Sequence, residues 1–286
     1  MVRVIARGIG QVMLQNNALS GALILAGIFF SSWQMGLLAI GGTVCSTLAA
    51  YLMGYSRADI RDGLYGFNGA LVGLAVGVFM PLSLATCLLL VAASGLSTWI
   101  AWLFSRQHWL PGFTAPFILT VWMVLGICSA WMPQWLLAAA SHSSVSQSVD
   151  YFQTLSYGIG QVMFQGNIWA GLLFLAGVCV NSRVAAFYTL LGATLPLLLA
   201  FCLPIEPRIL NEGLLGYNGV LCAIALGGTS LPSFLWALAA VLLSVAGQWL
   251  GMAWGITTLT APFVVSVWFV WIVRKIGSKR GASFLQ

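Results

Sequence analysis

The stretch Gly8-Ile9-Gly10-Gln11-Val12-Met13-Leu14-Gln15-Asn16-Asn17 returns as Gly158-Ile159-Gly160-Gln161-Val162-Met163-Phe164-Gln165-Gly166-Asn167, eight of ten residues identical at a shift of 150. Such self-similarity marks a duplicated unit, and repeated membrane folds build their sites where the two units meet. The chain around it is almost uniformly apolar: of its 286 residues 60% are hydrophobic and only 6% charged, with a mean hydropathy of +0.99. Soluble domains carry about a quarter charged residues, so a water-exposed globule is excluded. Apolar stretches of helical length separated by short polar loops indicate an all-α polytopic membrane protein. Barrel strands would instead alternate in polarity over about ten residues at a time.

Outward from the repeat, apolar spans are expected near 18–31, 36–55, 63–80, 82–104 and 113–132, and again near 168–181, 184–203, 213–228, 232–250 and 256–273. That makes about ten transmembrane helices, five in each half. Because five is odd, the second half must enter the membrane from the opposite side, giving two inverted five-helix repeats. Residues 1–140 form the first repeat, 141–155 an extracytoplasmic linker and 156–286 the second repeat.

Charge tests this independently. With the N-terminus cytoplasmic, the loops on that side hold Arg3, Arg7, Arg57, Arg61, Arg106, Arg183, Arg274, Lys275, Lys279 and Arg280, and only Arg208 falls outside. Ten of the eleven basic residues on one side is what the positive-inside rule predicts, with both termini cytoplasmic and the chain in a cell (inner) membrane. The segment from Pro133 to Asp150 is Ser-rich without Lys or Arg, as an external connection should be. The net charge of +6 needs no nucleic acid, since the basic residues flank spans singly or in pairs. The six cysteines lie scattered in apolar stretches without Cys-x-x-Cys spacing, as packing residues. No metal or other cofactor is expected. The start Met1-Val-Arg-Val-Ile-Ala-Arg7 carries no sign of a cleaved signal peptide.

Three segments recur in the same place of each unit. The Gly-Ile-Gly-Gln-Val-Met segment precedes the first full span and is too short and polar to cross lipid alone. It reads as a re-entrant pore helix, with an interfacial amphipathic helix as the alternative. The second is Gly63-Leu-Tyr-Gly-Phe-Asn-Gly-Ala-Leu71, matched by Gly213-Leu-Leu-Gly-Tyr-Asn-Gly-Val-Leu221. Its glycines permit close helix approach, and Phe67 with Leu71, like Tyr217 with Leu221, lie one turn apart on one face. That stripe is either core packing or a pore wall. The third, Thr114-Ala-Pro-Phe117, recurs as Thr260-Ala-Pro-Phe263 at a shift of 146. A proline just inside a span frees a carbonyl upstream, so it reads either as a kink or as a half-helix ending near the midplane beside a threonine hydroxyl. None of the three segments holds Asp, Glu, Lys, Arg or His. Ion-coupled pumps keep ionisable groups inside the membrane, so this path suits a small, uncharged, hydrogen-bonding solute.

These motifs, in order and twice over, resemble those of the urea transporters, in particular their bacterial members. The resemblance rests on Gly-x-Gly-Gln-x-x-x-Gln and Gly-Leu-x-Gly-(Phe/Tyr)-Asn-Gly in both halves, and on Leu110-Pro-x-x-Thr-x-Pro-Phe117 with its shortened partner Leu259-Thr-Ala-Pro-Phe263. It covers nearly the whole chain. It implies a homotrimer whose protomers each hold a passive, channel-like pore, narrowed to a slot between aromatic rings with oxygens along one side. Carried over by position, Gln11, Leu14, Phe67 and Leu71 line one outer-type binding position. Gln161, Val162, Phe164, Tyr217 and Leu221 form its mirror, and Thr114 with Thr260 marks the centre.

The chain departs from the family pattern in three places. Leu14 stands where the family usually has phenylalanine, giving that slot one aromatic wall instead of two. Tyr217 adds a hydroxyl at a ring position, and Gln161 replaces an acidic residue common in relatives. Short amides or ammonia therefore remain alternative solutes beside urea. An ammonia channel would be expected to line its path with histidine, whereas His108 and His142 fall in loops. An ion-coupled carrier lacks the buried carboxylates, and an intramembrane enzyme lacks a nucleophile beside a base. The expected partners are the lipid bilayer, the solute and two further copies of the chain.

Overall fold

A computed structural model describes residues 1–107, 109–138, 148–200 and 204–283, and for 277–283 the helix path alone. His108, His142, Cys202, most of the linker, and the side chains of Lys279 and Arg280 lie outside the described residues. Those described are helical throughout, without strands. The first half runs α1 (Val2–Gln11), α2 (Ala18–Ser31), α3 (Trp33–Leu52), α4 (Arg57–Arg61), α5 (Gly66–Phe79), α6 (Leu84–Arg106) and α7 (Ala115–Trp131). The second runs α8 (Tyr151–Gly160), a 3-10 turn (Gln161–Met163), α9 (Ile168–Asn181), α10 (Arg183–Ala200), α11 (Pro207–Asn211), α12 (Tyr217–Leu226), α13 (Leu231–Ala253) and α14 (Ala261–Ser283). Element for element, the second half repeats the first.

Each of the ten expected spans carries a helix, and α2 and α9 match their expected ranges to the residue. The reason is local. Asn17 Oδ1 accepts from the amides of Leu19 and Ser20, and Asn167 Oδ1 from those of Trp169 and Ala170. An asparagine closing both copies of the opening repeat is thus the N-cap that starts the next helix. Likewise Asp150 caps α8 by accepting from Gln153, so that helix begins at Tyr151, inside the stretch read as linker.

The spans are of two kinds. Helices α3, α6, α10 and α13 are each long and apolar enough to cross a bilayer unbroken, whereas α2, α5, α7 and α12 are shorter. A bilayer core of about 30 Å needs roughly 20 helical residues, more than the 14 of α2 or α5 or the 10 of α12. Helix α9 belongs to a bent pair: α8 with its 3-10 turn meets it at a bend of 71°. Non-helical backbone inside a bilayer is tolerated only when protein surrounds it, and at the corners after α1 and α8 Val12, Met13, Gln15, Val162, Met163 and Gln165 are buried. Large exposed side chains such as Leu84, Leu88, Leu231 and Phe269 cover the outside, as a lipid-facing surface requires. The protein is an all-α, multi-pass membrane protein.

Packing repeats as well. Helix α3 lies on α5 as α10 lies on α12, α1 on α2 as α8 on α9, and the seam between α2 and α9 joins the halves. Ile24, Ile28, Phe174 and Val178 fill that seam, all fully buried. The α3–α5 contact is backbone against backbone: a Cβ on Gly42 would sit 2.0 Å from the Gly69 carbonyl oxygen, and one on Gly192 would sit 2.5 Å from that of Gly219. Only glycine fits at these crossings.

Candidate functional site

Each opening repeat ends in the same tight corner. After α1, Leu14 N–H donates to Gln11 O at 2.9 Å and Gln15 N–H to Gly10 O at 3.0 Å, with Leu14 at φ +60°. In the second half Phe164 N–H donates to Gln161 O at 3.1 Å and Gln165 N–H to Gly160 O at 3.0 Å, with Phe164 at the same φ. Gln15 and Gln165 close the corner by donating to Met13 O and Met163 O, at 2.6 and 2.7 Å. Among the described residues nothing donates to the carbonyls of Val12 or Val162, which are left as acceptors.

Gln11 and Gln161 are tethered alike. Gln11 Nε2 donates to Asp62 O at 2.8 Å, and Gln161 Nε2 to Glu212 O at 3.0 Å. A carbonyl only accepts, so the amide nitrogen must face the tether, and Oε1 is the atom left for another donor. Arg7 pairs with Asp62 at 3.3 Å, and Arg208 with Glu212 at 2.9 Å, beside these tethers.

The third recurring segment sits opposite. Asn68 Oδ1 accepts from Phe117 N–H, and Asn218 Oδ1 from Phe263 N–H, both at 3.1 Å. These bonds pin the first turns of α7 and α14, where Pro116 and Pro262 have no N–H to give. Just before those turns, Thr114 Oγ1 and Thr260 Oγ1 meet at 2.7 Å, each residue 3% exposed. The halves also brace each other: Trp122 Nε1 donates to Thr257 O at 2.7 Å and Trp268 Nε1 to Pro111 O at 2.8 Å, a matched pair.

Gln11, Leu14 and Phe67 line one cavity of about 500 Å³, together with Asn68, Phe113 and Pro116. None of its described lining residues is charged. Leu71, carried over with them, is fully buried and is not part of that lining. The equivalent positions in the second half are buried to the same degree, Phe67 and Tyr217 each being 9% exposed. Phe164 meets Phe117 and Phe79 edge-on at 6.3 and 6.5 Å, and Val162 and Leu221 are each 1% exposed. The Tyr217 hydroxyl turns away, donating to Leu259 O at 2.7 Å and Gln248 Oε1 at 3.1 Å. Among the described residues no group of three His, Cys, Asp or Glu could hold a metal ion.

Sequence reasoning passed over Asn68 and Asn218, whose signal was their identity in both copies, and Phe113, which directly precedes Thr114. It also missed Gln248, which carries no repeat signal. Its Oε1 collects Tyr217 OH, Asn218 Nδ2 at 3.1 Å and Thr258 Oγ1 at 2.6 Å. Gln248→Leu leaves the buried Thr258 hydroxyl without its acceptor, and Tyr217 and Asn218 with Leu259 O alone, at about 1–3 kcal/mol. The purified variant should melt clearly below the wild type, and an unchanged melting temperature would refute this role for Gln248.

The family model for urea transporters matches residues 2–275. Among curated proteins, the chain is 32% identical to urea transporter 1 of Rattus norvegicus over 243 residues, which is 78% of this chain and 62% of the relative. It is 29% identical to urea transporter 1 of Ovis aries over 244 residues, with the same coverage. The chain thus spans about 62% of the length of the curated relatives it matches.

Proposed function

Because the chain belongs to the urea transporter family, we propose that it passes urea down its gradient through a neutral path running between its two halves. The family is one of transporters, which sets aside the intramembrane enzyme weighed from the sequence. The observation that carries the path is the meeting of Thr114 and Thr260 hydroxyls at 2.7 Å, one from each half, buried just ahead of α7 and α14.

Gln11 Oε1 and the Val12 carbonyl form the oxygen row at one end, beside Leu14 and Phe67. The mirror row is Gln161 Oε1 and the Val162 carbonyl, beside Phe164 and Tyr217. Leu71 and Leu221, buried outside the Gln11 cavity, are proposed as apolar walls further in, toward the threonines. Urea is planar and neutral, with N–H donors in its plane, so rings can cover its faces while the oxygens accept its hydrogens. A cation would lose hydration that apolar walls do not replace, at a cost of several kcal/mol. Several weak, similar positions favour conduction over retention. The placement of basic residues puts the Gln11 mouth, beside Arg7 and Arg61, on the cytoplasmic side, with both termini there. An inner-membrane homotrimer of two inverted five-helix repeats, residues 1–140 and 156–286, completes the reading.

Proteoliposomes holding the protein should shrink and reswell in a urea gradient far faster than empty vesicles, by stopped-flow light scattering. Collapsing the membrane potential and proton gradient should leave the rate unchanged, and flux that vanished with those gradients would overturn the passive mechanism.

A further inference from the structure

We propose that Phe113 is the second aromatic wall of the Gln11 slot, standing in for the ring that position 14 lacks. The inference rests on the urea-path reading above and names the residue that sets selectivity at that end. Four non-glycine residues among those described have left-handed backbone: Leu14 at φ +60°, Phe113 at +42°, Phe164 at +60° and Leu259 at +50°. They form two mirror pairs, 14 with 164 at a shift of 150, and 113 with 259 at a shift of 146. Each pair holds one phenylalanine and one leucine, and the assignment is exchanged between the halves. A left-handed residue with a bulky side chain is strained, which glycine would relieve. That strain is retained at all four corners, so a side chain is needed at each.

The ring contacts say which corner took over. Phe164 lies edge-on to Phe117 of the other half, with centroids 6.3 Å apart at 72°. Reflected through the repeat, that contact would join position 14 to Phe263. Leu14 has no ring to offer, and Phe263 receives its edge contact from Phe113 instead, at 5.2 Å and 63°. Phe113 lines the same cavity as Phe67 and Leu14. Its loop is held by the bond from Trp268 to Pro111 O at 2.8 Å. The slot therefore has two rings, Phe67 and Phe113, to cover the faces of a planar amide, while Gln11 Oε1 takes its in-plane hydrogens. N-methylated ureas keep the planar heavy-atom frame but lose in-plane N–H donors and carry methyl hydrogens above and below it, so the slot disfavours them.

The test is a compensating exchange in the full chain: Phe113→Leu, Leu14→Phe and the double variant, each in proteoliposomes with urea and with N,N′-dimethylurea. Phe113→Leu should lower the preference for urea by roughly fivefold, through loss of one aromatic face. Leu14→Phe, which adds a third ring, should cut urea flux by roughly tenfold. The double variant should return both readouts close to wild type, the non-additivity expected of residues sharing one space. Should Phe113→Leu not assemble, Leu14→Phe against the double variant carries the same comparison. Additive effects of the two changes, or a preference untouched by Phe113→Leu in a conducting protein, would overturn this inference alone. Wild-type vesicles no faster than empty ones would overturn the urea path and this inference together.

Discussion

Thr114→Leu should abolish most urea flux while leaving assembly intact. The Thr114 and Thr260 hydroxyls face each other at 2.7 Å, and each residue is 3% exposed, so water is not at hand to replace either one. On the proposed path, losing one of these oxygens costs a polar solute about 1–3 kcal/mol. The added isobutyl group also narrows the passage. Together these amount to a drop of roughly tenfold or more. Thr114→Ser keeps the oxygen and should retain most of the rate, so the pair separates loss of the hydroxyl from general damage. A Thr114→Leu protein that conducts like wild type would show that the two threonines do not lie on the path. The measurement is stopped-flow urea permeability at matched protein density.

Gly42→Val should prevent stable folding. A Cβ at this position would sit 2.0 Å from the Gly69 oxygen and 2.8 Å from its carbonyl carbon, and in both cases the obstacle is backbone that cannot swing aside. The reciprocal clash, from Gly69 to Gly42 O, is 2.2 Å, so α3 and α5 are in contact from both directions. Forcing them apart breaks the packing that carries Phe67 and Asn68, and with Asn68 the tether of α7. Overpacking of this kind costs at least about 1–3 kcal/mol, and more where no side chain can yield. Detergent-solubilised Gly42→Val should aggregate on size exclusion or melt far below wild type. Gly95→Val, where a Cβ meets nothing within 4 Å, is the control and should behave normally. A well-behaved Gly42→Val protein would mean that this helix pair is looser than described.

What the sequence displayed, it displayed by repetition. The caps Asn17 and Asn167 start α2 and α9 where expected, and Thr114 and Thr260 meet because each is set just ahead of a proline turn pinned by its asparagine. The position of Leu71 was harder to read. Helix α5 is buried from Gly66 to Val76 on every side, so helical periodicity cannot say which face points to a cavity and which to a neighbour. The same holds for Leu221 on α12 and for Val162. Features present in one half only gave no signal at all. Gln248 has no counterpart by repetition, and the exchange of phenylalanine and leucine between positions 14 and 113 disguises a shared role as two unrelated differences. Tyr217 is a case in point: its added hydroxyl, read from sequence as a change in the slot, is taken up by Gln248 and Leu259 O.

The indole braces set a condition on how such a protein can exist. Trp122 holds the corner that contains Thr260, and Trp268 holds the corner that contains Thr114, so each unit finishes its neighbour's site and leaves its own incomplete. A shorter polypeptide carrying a single unit would need to pair with a second copy to make the same bonds. Joining the two in one chain removes that dependence on chance encounter, and frees each corner to diverge without its partner having to change in step.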